Sequence, residues 1–295
     1  KEPNVPNFEI GAHCNSPYPC DFIGTCWKNM PEHSVHDLTN ARGKDWELYN
    51  SGVFKLADVP TDFPLSHSQQ VQVEAERTGK AHINKEGIRE FTCALNYPLY
   101  FMDFESIMPA VPIFDQTRPY QQAVFQYSVH IQEFEGGPVE HKEFLADPTD
   151  KNLRVTVAEK LIEHMGTKGD VIVYNQSFEI PRMNELGRDY PELKGGMESI
   201  SYRVVDLAVP FSQKLYYTKE MRGSYSIKVV LPSLVPDLSY KDLEIGDGGT
   251  ASLTFLQMVQ GEFNGDVAKT RKDLLDYCGL DTWAMVKILD KLQTT

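Results

Sequence analysis

The sequence predicts an α/β architecture, a mixed sheet flanked by helices, with a small cysteine-containing and mainly helical region ahead of it. Three observations carry this. From Pro98 onward, three strand-like apolar segments come in a row and then alternate with stretches of helical spacing, the order expected of a mixed sheet covered by helices. Between Asp37 and Leu95 the apolar residues fall in short clusters interrupted by Pro60, Pro64 and glycines, as short connecting helices require. Residues 1–36 are rich in Pro, Asn and Cys and have little periodicity, so cysteine rather than an apolar core is expected to hold them. The expected organisation is a cysteine-rich metal segment over 1–36, a short-helix connector over 37–96 and the α/β domain over 97–295.

In order along that domain, Leu99-Tyr100-Phe101-Met102-Asp103-Phe104-Glu105 reads as a buried strand, and 123–134 alternates as a second. A third follows over 141–145 after the Gly136-Gly137-Pro138 turn, which makes an antiparallel meander. Leu153, Val157, Leu161, Ile162 and Met165 have helical spacing, Val171–Tyr174 is a short strand, and a helix opens near Ile180. A fifth strand is expected over 202–207, then helices over 227–234, 252–259 and 267–292.

The chain has 295 residues, with 42 acidic against 29 basic and a net charge of −13. Nonspecific affinity for nucleic acid comes largely from neutralised phosphates, so this balance excludes a passive coating role and requires any nucleic-acid chemistry to be local. Lys228, Lys214 and Arg222 are the basic residues expected to supply it. No stretch is long and apolar enough for a spanning helix, so no membrane partner is expected. The chain opens Lys-Glu-Pro-Asn, which reads as a piece of a longer polypeptide. Five cysteines make no disulfide framework and suit a reducing compartment, the cytoplasm.

Three acidic elements stand out. Asp103 and Glu105, two apart on an apolar strand, project from one face about 7 Å apart and can share a cation. Charges inside such a strand are costly unless paired or metal-bound, although a strand edge in water would also hold them. The second element, Asn175-Gln176-Ser177-Phe178-Glu179, lies where a strand ends and a helix begins, a usual ligand position in α/β folds. Glu179 near a helix start is equally explained by the helix dipole. In the third, Tyr277-Cys278-Gly279-Leu280-Asp281, the phenol and the carboxylate share a helical face.

In order and context these elements resemble the DEDD superfamily of 3′–5′ exonucleases, in the subgroup with tyrosine in the last motif. The motifs are Asp103-Phe104-Glu105, Asn175-x-x-Phe178-Glu179 and Tyr277-x-x-x-Asp281, and the likeness runs from Pro98 to Leu292, roughly two-thirds of the chain. Val205-Asp206-Leu207 and Ser226-Ile227-Lys228 add shorter matches. The resemblance implies an RNase H-like fold and two Mg²⁺ or Mn²⁺ ions held by Asp103, Glu105, Glu179 and Asp281. It also implies hydrolysis at the 3′ end of a single strand, with Tyr277 as a neutral phenol orienting water. Phe104, Ser106 and Asn175 become candidates for the terminal nucleotide, with a core position the alternative for Phe104. One departure is Glu179, where that superfamily usually has Asp; the added methylene opens the alternative of a weakened module that binds nucleic acid without efficient turnover.

His13 to Trp27 places Cys14, Cys20 and Cys26 at equal spacing on turns. Zinc or an iron–sulfur cluster takes four ligands, and the fourth is His13 or a residue upstream; thiols packed under Tyr18, Phe22 and Trp27 are the alternative. The segment resembles the cysteine end of RecB-type nucleases that carry a [4Fe–4S] cluster, which implies an upstream RecB-like nuclease domain as partner and a setting in DNA repair or phage defence. A structural zinc-ribbon protein with a solvated acidic face is the remaining alternative. Cys93 and Cys278, in apolar helical contexts, are expected in the core.

Overall fold

A computed structural model describes residues 9–241 and 243–295. The described residues form two compact units, one of residues 9–83 and 213–225 and one of 84–212, 226–241 and 243–295. Packing therefore divides the chain at other points than the expected boundaries after residues 36 and 96, and it lends 213–225 to the first unit.

The first unit contains α1 (Ile23–Cys26), α2 (Lys44–Asn50) and α3 (His67–Thr78), with the short strand β1 (His82–Ile83). Val35, Leu38, Leu48, Leu56, Val59 and Val73 form its core. Ser66 and Gln69 make a reciprocal capping box that starts α3, and Gly79 ends it at φ 67°.

The second unit begins with α4 (Lys85–Cys93), followed by the meander β2 (Leu99–Ile107), β3 (Ala123–Gln132) and β4 (Val139–Leu145). Then come α5 (Leu153–His164), β5 (Asp170–Val173), α6 (Gln176–Asp189), α7 (Lys194–Ser201), β6 (Val204–Asp206) and α8 (Val209–Ser212). Strand β7 (Tyr216–Tyr217) returns to the first unit and pairs with β1. The second unit resumes with α9 (Ile227–Leu234), α10 (Gly248–Gln260) and α11 (Val267–Gln293). Its five-stranded sheet has the order β4-β3-β2-β5-β6, antiparallel across β4, β3 and β2 and parallel across β2, β5 and β6. This is the mixed sheet flanked by helices that the sequence predicts, in an RNase H-like arrangement. Gly169, at φ 79°, lets β5 start beside β2, since a Cβ there would stand 1.9 Å from the Pro98 carbonyl.

The two sheet faces are buried for different reasons. Tyr100, Met102 and Phe104 join Phe125, Tyr127, Val129 and Ile131 in an apolar core closed by Leu153, Val157 and Leu161 of α5. Phe255 of α10 stacks on Phe125 at 4.0 Å on this face. The opposite face of β3 carries Gln126, Ser128, His130 and Gln132, a pattern that ordinarily meets water. All four are buried, and α11 engages three of them. Gln126 Nε2 donates to the Leu274 carbonyl at 2.8 Å, and the Thr282 hydroxyl lies 2.7 Å from Ser128 Oγ and 2.8 Å from His130 Nδ1. Burial of these polar side chains is tolerated because each makes at least one hydrogen bond, although Gln126 Oε1 is left without a partner. Cys278 is buried as expected, but Cys93, the last residue of α4, is exposed; the fully buried position of that helix is Ile88.

Candidate active site

Asp103 and Glu105 pair in register with Ser128 and Gln126, which places both carboxylates on the α11 side of the sheet. The register of β2 against β3 shifts between Glu105 and Ser106, a bulge at the site itself. From α11, Asp281 reaches the same point, and carboxylate oxygens of Asp103, Glu105 and Asp281 all lie within 4.8 Å of one another. Among the described residues this is the one group of three or more His, Cys, Asp or Glu side chains gathered so closely. Together with Phe104, Tyr174, Lys228 and Tyr277 they border a pocket of about 190 Å³.

Glu179 enters differently. It lies in the first turn of α6, after Asn175 turns the chain at φ 79°, a left-handed conformation that Asn tolerates. Asp206 at the end of β6 fixes that turn by accepting the N–H groups of Asn175 at 2.9 Å and Gln176 at 3.1 Å. The Glu179 carboxylate is buried, and its Oε2 has no hydrogen-bond partner. It stands outside the group of three yet close enough to repel the Asp103 charge.

Burial and mutual repulsion raise the proton affinity of every carboxylate here. Asp103 is pushed well above the usual range by burial, then by Asp281, Glu105 and Glu179. Burial lifts Glu105 to about 8, with Asp281 adding to it, and lifts Glu179 to about 8. Asp281 rises only to about 6, because Tyr240, Lys228 and Tyr277 favour its charged form. The Tyr240 hydroxyl donates to Asp281 Oδ1 at 2.6 Å. Burial and these carboxylates raise the Tyr277 and Tyr240 phenols above their ordinary range, so both are neutral donors.

The donor set fits hard divalent cations: oxygen only, three carboxylates convergent, and a fourth buried with an orphaned oxygen aimed at no protein group. The expected nucleotide contacts divide. Asn175 is exposed at the β5–α6 turn. Phe104 is buried in the apolar core, and the residue also borders the pocket. The Ser106 hydroxyl is engaged by the Gln122 side chain. Lys228 borders the pocket, but Lys214 and Arg222 are committed within the first unit. Lys214 is buried over the Tyr217 ring at 4.3 Å, and Arg222 pairs with Asp37 at 3.1 Å. No periodicity or motif in the sequence marks Tyr240, which lies outside α9 and α10.

The three expected cysteine ligands lie in the first unit. Cys14 is buried, Cys20 and Cys26 are exposed, and they form no close group of three ligand atoms among the described residues. The Cys20 N–H donates to the Cys14 carbonyl at 2.8 Å, a backbone link that brings these two residues side by side.

Behind Asp281, a chain of hydrogen bonds seats α11: His141 Nε2 is 2.8 Å from Ser128 Oγ, which meets Thr282, which meets His130. The His130 and His141 rings stack at 4.2 Å, and burial with the neighbouring His141 lowers His130 to about 4, so it is neutral at physiological pH. Thr282→Val keeps the shape and removes the shared partner of two buried groups. It should cost about 1–3 kcal/mol in denaturant unfolding, with Thr282→Ser near wild type; a neutral valine would show that the chain does not seat the helix.

Residues 100–226 match the model of a protein family described as a domain of unknown function, DUF2779. The matched stretch holds Asp103, Glu105 and Glu179 and ends before Tyr240, Tyr277 and Asp281. Over 275 residues the chain is 26% identical to "Uncharacterized protein UU173" of Ureaplasma parvum serovar 3, which covers 84% of this chain and 39% of that protein. It is 27% identical over 205 residues to "Uncharacterized protein MG366 homolog" of Mycoplasma pneumoniae, covering 64% of this chain and 31% of the relative. The chain thus spans well under half the length of these curated relatives. No solved structure matches it. Among the described residues no helix is long and apolar enough to cross a membrane.

Proposed function

We propose that the carboxylate pocket is the active site of a divalent-metal-dependent 3′–5′ exonuclease module of the DEDD type, tyrosine subgroup, acting on single-stranded nucleic acid. The observation that carries the reading is the convergence of Asp103, Glu105 and Asp281 within 4.8 Å beside the buried, orphaned Glu179 oxygen. Asp103, Glu105 and Asp281 would hold Mg²⁺ or Mn²⁺, with Asp103 and Glu179 available to a second ion. Bound cations supply an activated water and stabilise charge on phosphoryl oxygens. The chain's own residues do the rest. Tyr240 holds one oxygen of Asp281, and Tyr277 also hydrogen-bonds this carboxylate. Tyr277, a neutral phenol at the pocket wall, can orient water but not take its proton. The turn at Asn175, braced by Asp206, presents polar groups where a terminal sugar would enter.

A weakened, nucleic-acid-binding module is the second reading, and the position of Glu179 outside the close group favours it. An upstream RecB-like nuclease would be the natural partner of either, in DNA repair or phage defence. The reading rests on the carboxylates and is independent of what the cysteines bind. The test is 3′-labelled single strands of DNA and RNA incubated with Mn²⁺. Wild type should release labelled mononucleotide and Asp281→Asn should not. Equal release by both removes the enzyme reading, and strand binding without release by wild type selects the second.

A further inference from the structure

A positive charge is built into the carboxylate pocket without being spent on an ion pair. Lys228, in the first turn of α9, borders the pocket with Asp103, Glu105 and Asp281. Its Nζ donates to the Gly246 carbonyl at 2.7 Å and sits 5.4 Å from the Tyr240 ring centre and 5.2 Å from that of Tyr277. Among the described residues no carboxylate oxygen lies within the 4.0 Å of an ion pair with it. A carbonyl and two aromatic faces therefore hold the ammonium near Glu105 and Asp281 but off them. One of its three donors is used on Gly246, which leaves capacity for an anion.

We propose that Lys228 is a phosphate-binding residue that also sets the cation affinity of the site: its ammonium opposes the divalent ion while the pocket is empty and binds a phosphodiester oxygen of the substrate once that ion neutralises the carboxylates. The proposal rests on the phosphodiester reading above. Two requirements of such a site explain the arrangement. A lysine in direct contact with Asp281 would block the cation, whereas one tethered to Gly246 and the two rings leaves the oxygens open. Without some fixed cation, a pocket of buried carboxylates in a chain of net charge −13 would repel a polyanion until fully loaded.

The two halves of the proposal predict effects of opposite sign from one substitution. Lys228→Met should bind Mn²⁺ about tenfold more tightly in calorimetry, since a like charge is removed from the pocket. It should bind a short single strand, oligothymidylate and oligouridylate measured in parallel in Ca²⁺, about tenfold more weakly. The slope of log affinity against log salt should shrink by about 0.7, the loss of one phosphate contact. Lys228→Arg should restore both affinities, and Lys228→Gln should repeat the Met result if the Met variant does not fold. Unchanged or weaker Mn²⁺ binding in Lys228→Met, or an unchanged salt slope, overturns the inference alone. Failure of the wild type to bind Mn²⁺ overturns the metal-dependent reading and the inference together.

Discussion

Asp103→Asn should abolish Mn²⁺-dependent release of 3′ nucleotides, by about 10³-fold or more, while leaving the protein folded. Asp103 is the carboxylate common to the whole constellation: it is gathered with Glu105 and Asp281, and it alone of the three is raised by the charge of Glu179. Asparagine keeps its size and one oxygen on a strand that pairs with β3 at this position, opposite Ser128, and with β5 over Leu99–Phe101. Loss of function therefore need not follow from loss of fold. Single-turnover cleavage at saturating Mn²⁺, with circular dichroism on the same sample, makes the comparison. Activity within tenfold of wild type would remove Asp103 from the chemistry.

The metal-free protein should lose stability as pH rises from about 5 to about 8, and Mn²⁺ should restore it. Glu105 and Glu179 bind protons up to about 8 in the folded state and Asp281 up to about 6, against ordinary values near 4 to 4.5 in the unfolded chain. Over that window the folded state holds more protons than the unfolded one, so unfolding becomes easier as they leave; below it both states are protonated and the penalty is absent. The expected loss is at least about 2 kcal/mol in urea unfolding with a chelator present. Glu105→Gln, which removes one of the titrating groups, should flatten the dependence. The same proton excess means that Mn²⁺ binding at neutral pH releases protons, measurable as a buffer-dependent heat. A flat stability profile in chelator would mean that the carboxylates are hydrated and already charged.

Much of this fold is written in local pattern. Strand β2 is recognisable from its apolar run, the meander from the Gly136-Gly137-Pro138 turn, and α11 from a helical repeat carried to its end. Boundaries moved only slightly: α10 starts at Gly248, where Asp247 caps it by accepting the Thr250 N–H at 2.9 Å, ahead of the apolar residues that mark it in sequence. The spacing of Asp103 to Glu105 and of Tyr277 to Asp281 was legible for the same reason, since strand and helix periods determine which side chains share a face. Cys93 shows the limit: an apolar context says that a helix has a buried side, not that its last residue lies on it.

By itself, then, the sequence determined the five strands of the mixed sheet, the main helices around it and the pairs of acidic residues that share a face within one element, but not α7, α8 or the β1–β7 pair. The tertiary structure alone decided which pairs meet. It brought Asp281 to Asp103 and Glu105 while leaving Glu179 just outside, placed Tyr240 and Lys228 around Asp281, and buried the polar face of β3 beneath α11. The physical reason is range. Periodicity acts over a few residues, whereas the site joins β2 to a helix more than 160 residues later in the chain, and that meeting depends on how the polar face of β3 and Thr282 satisfy one another.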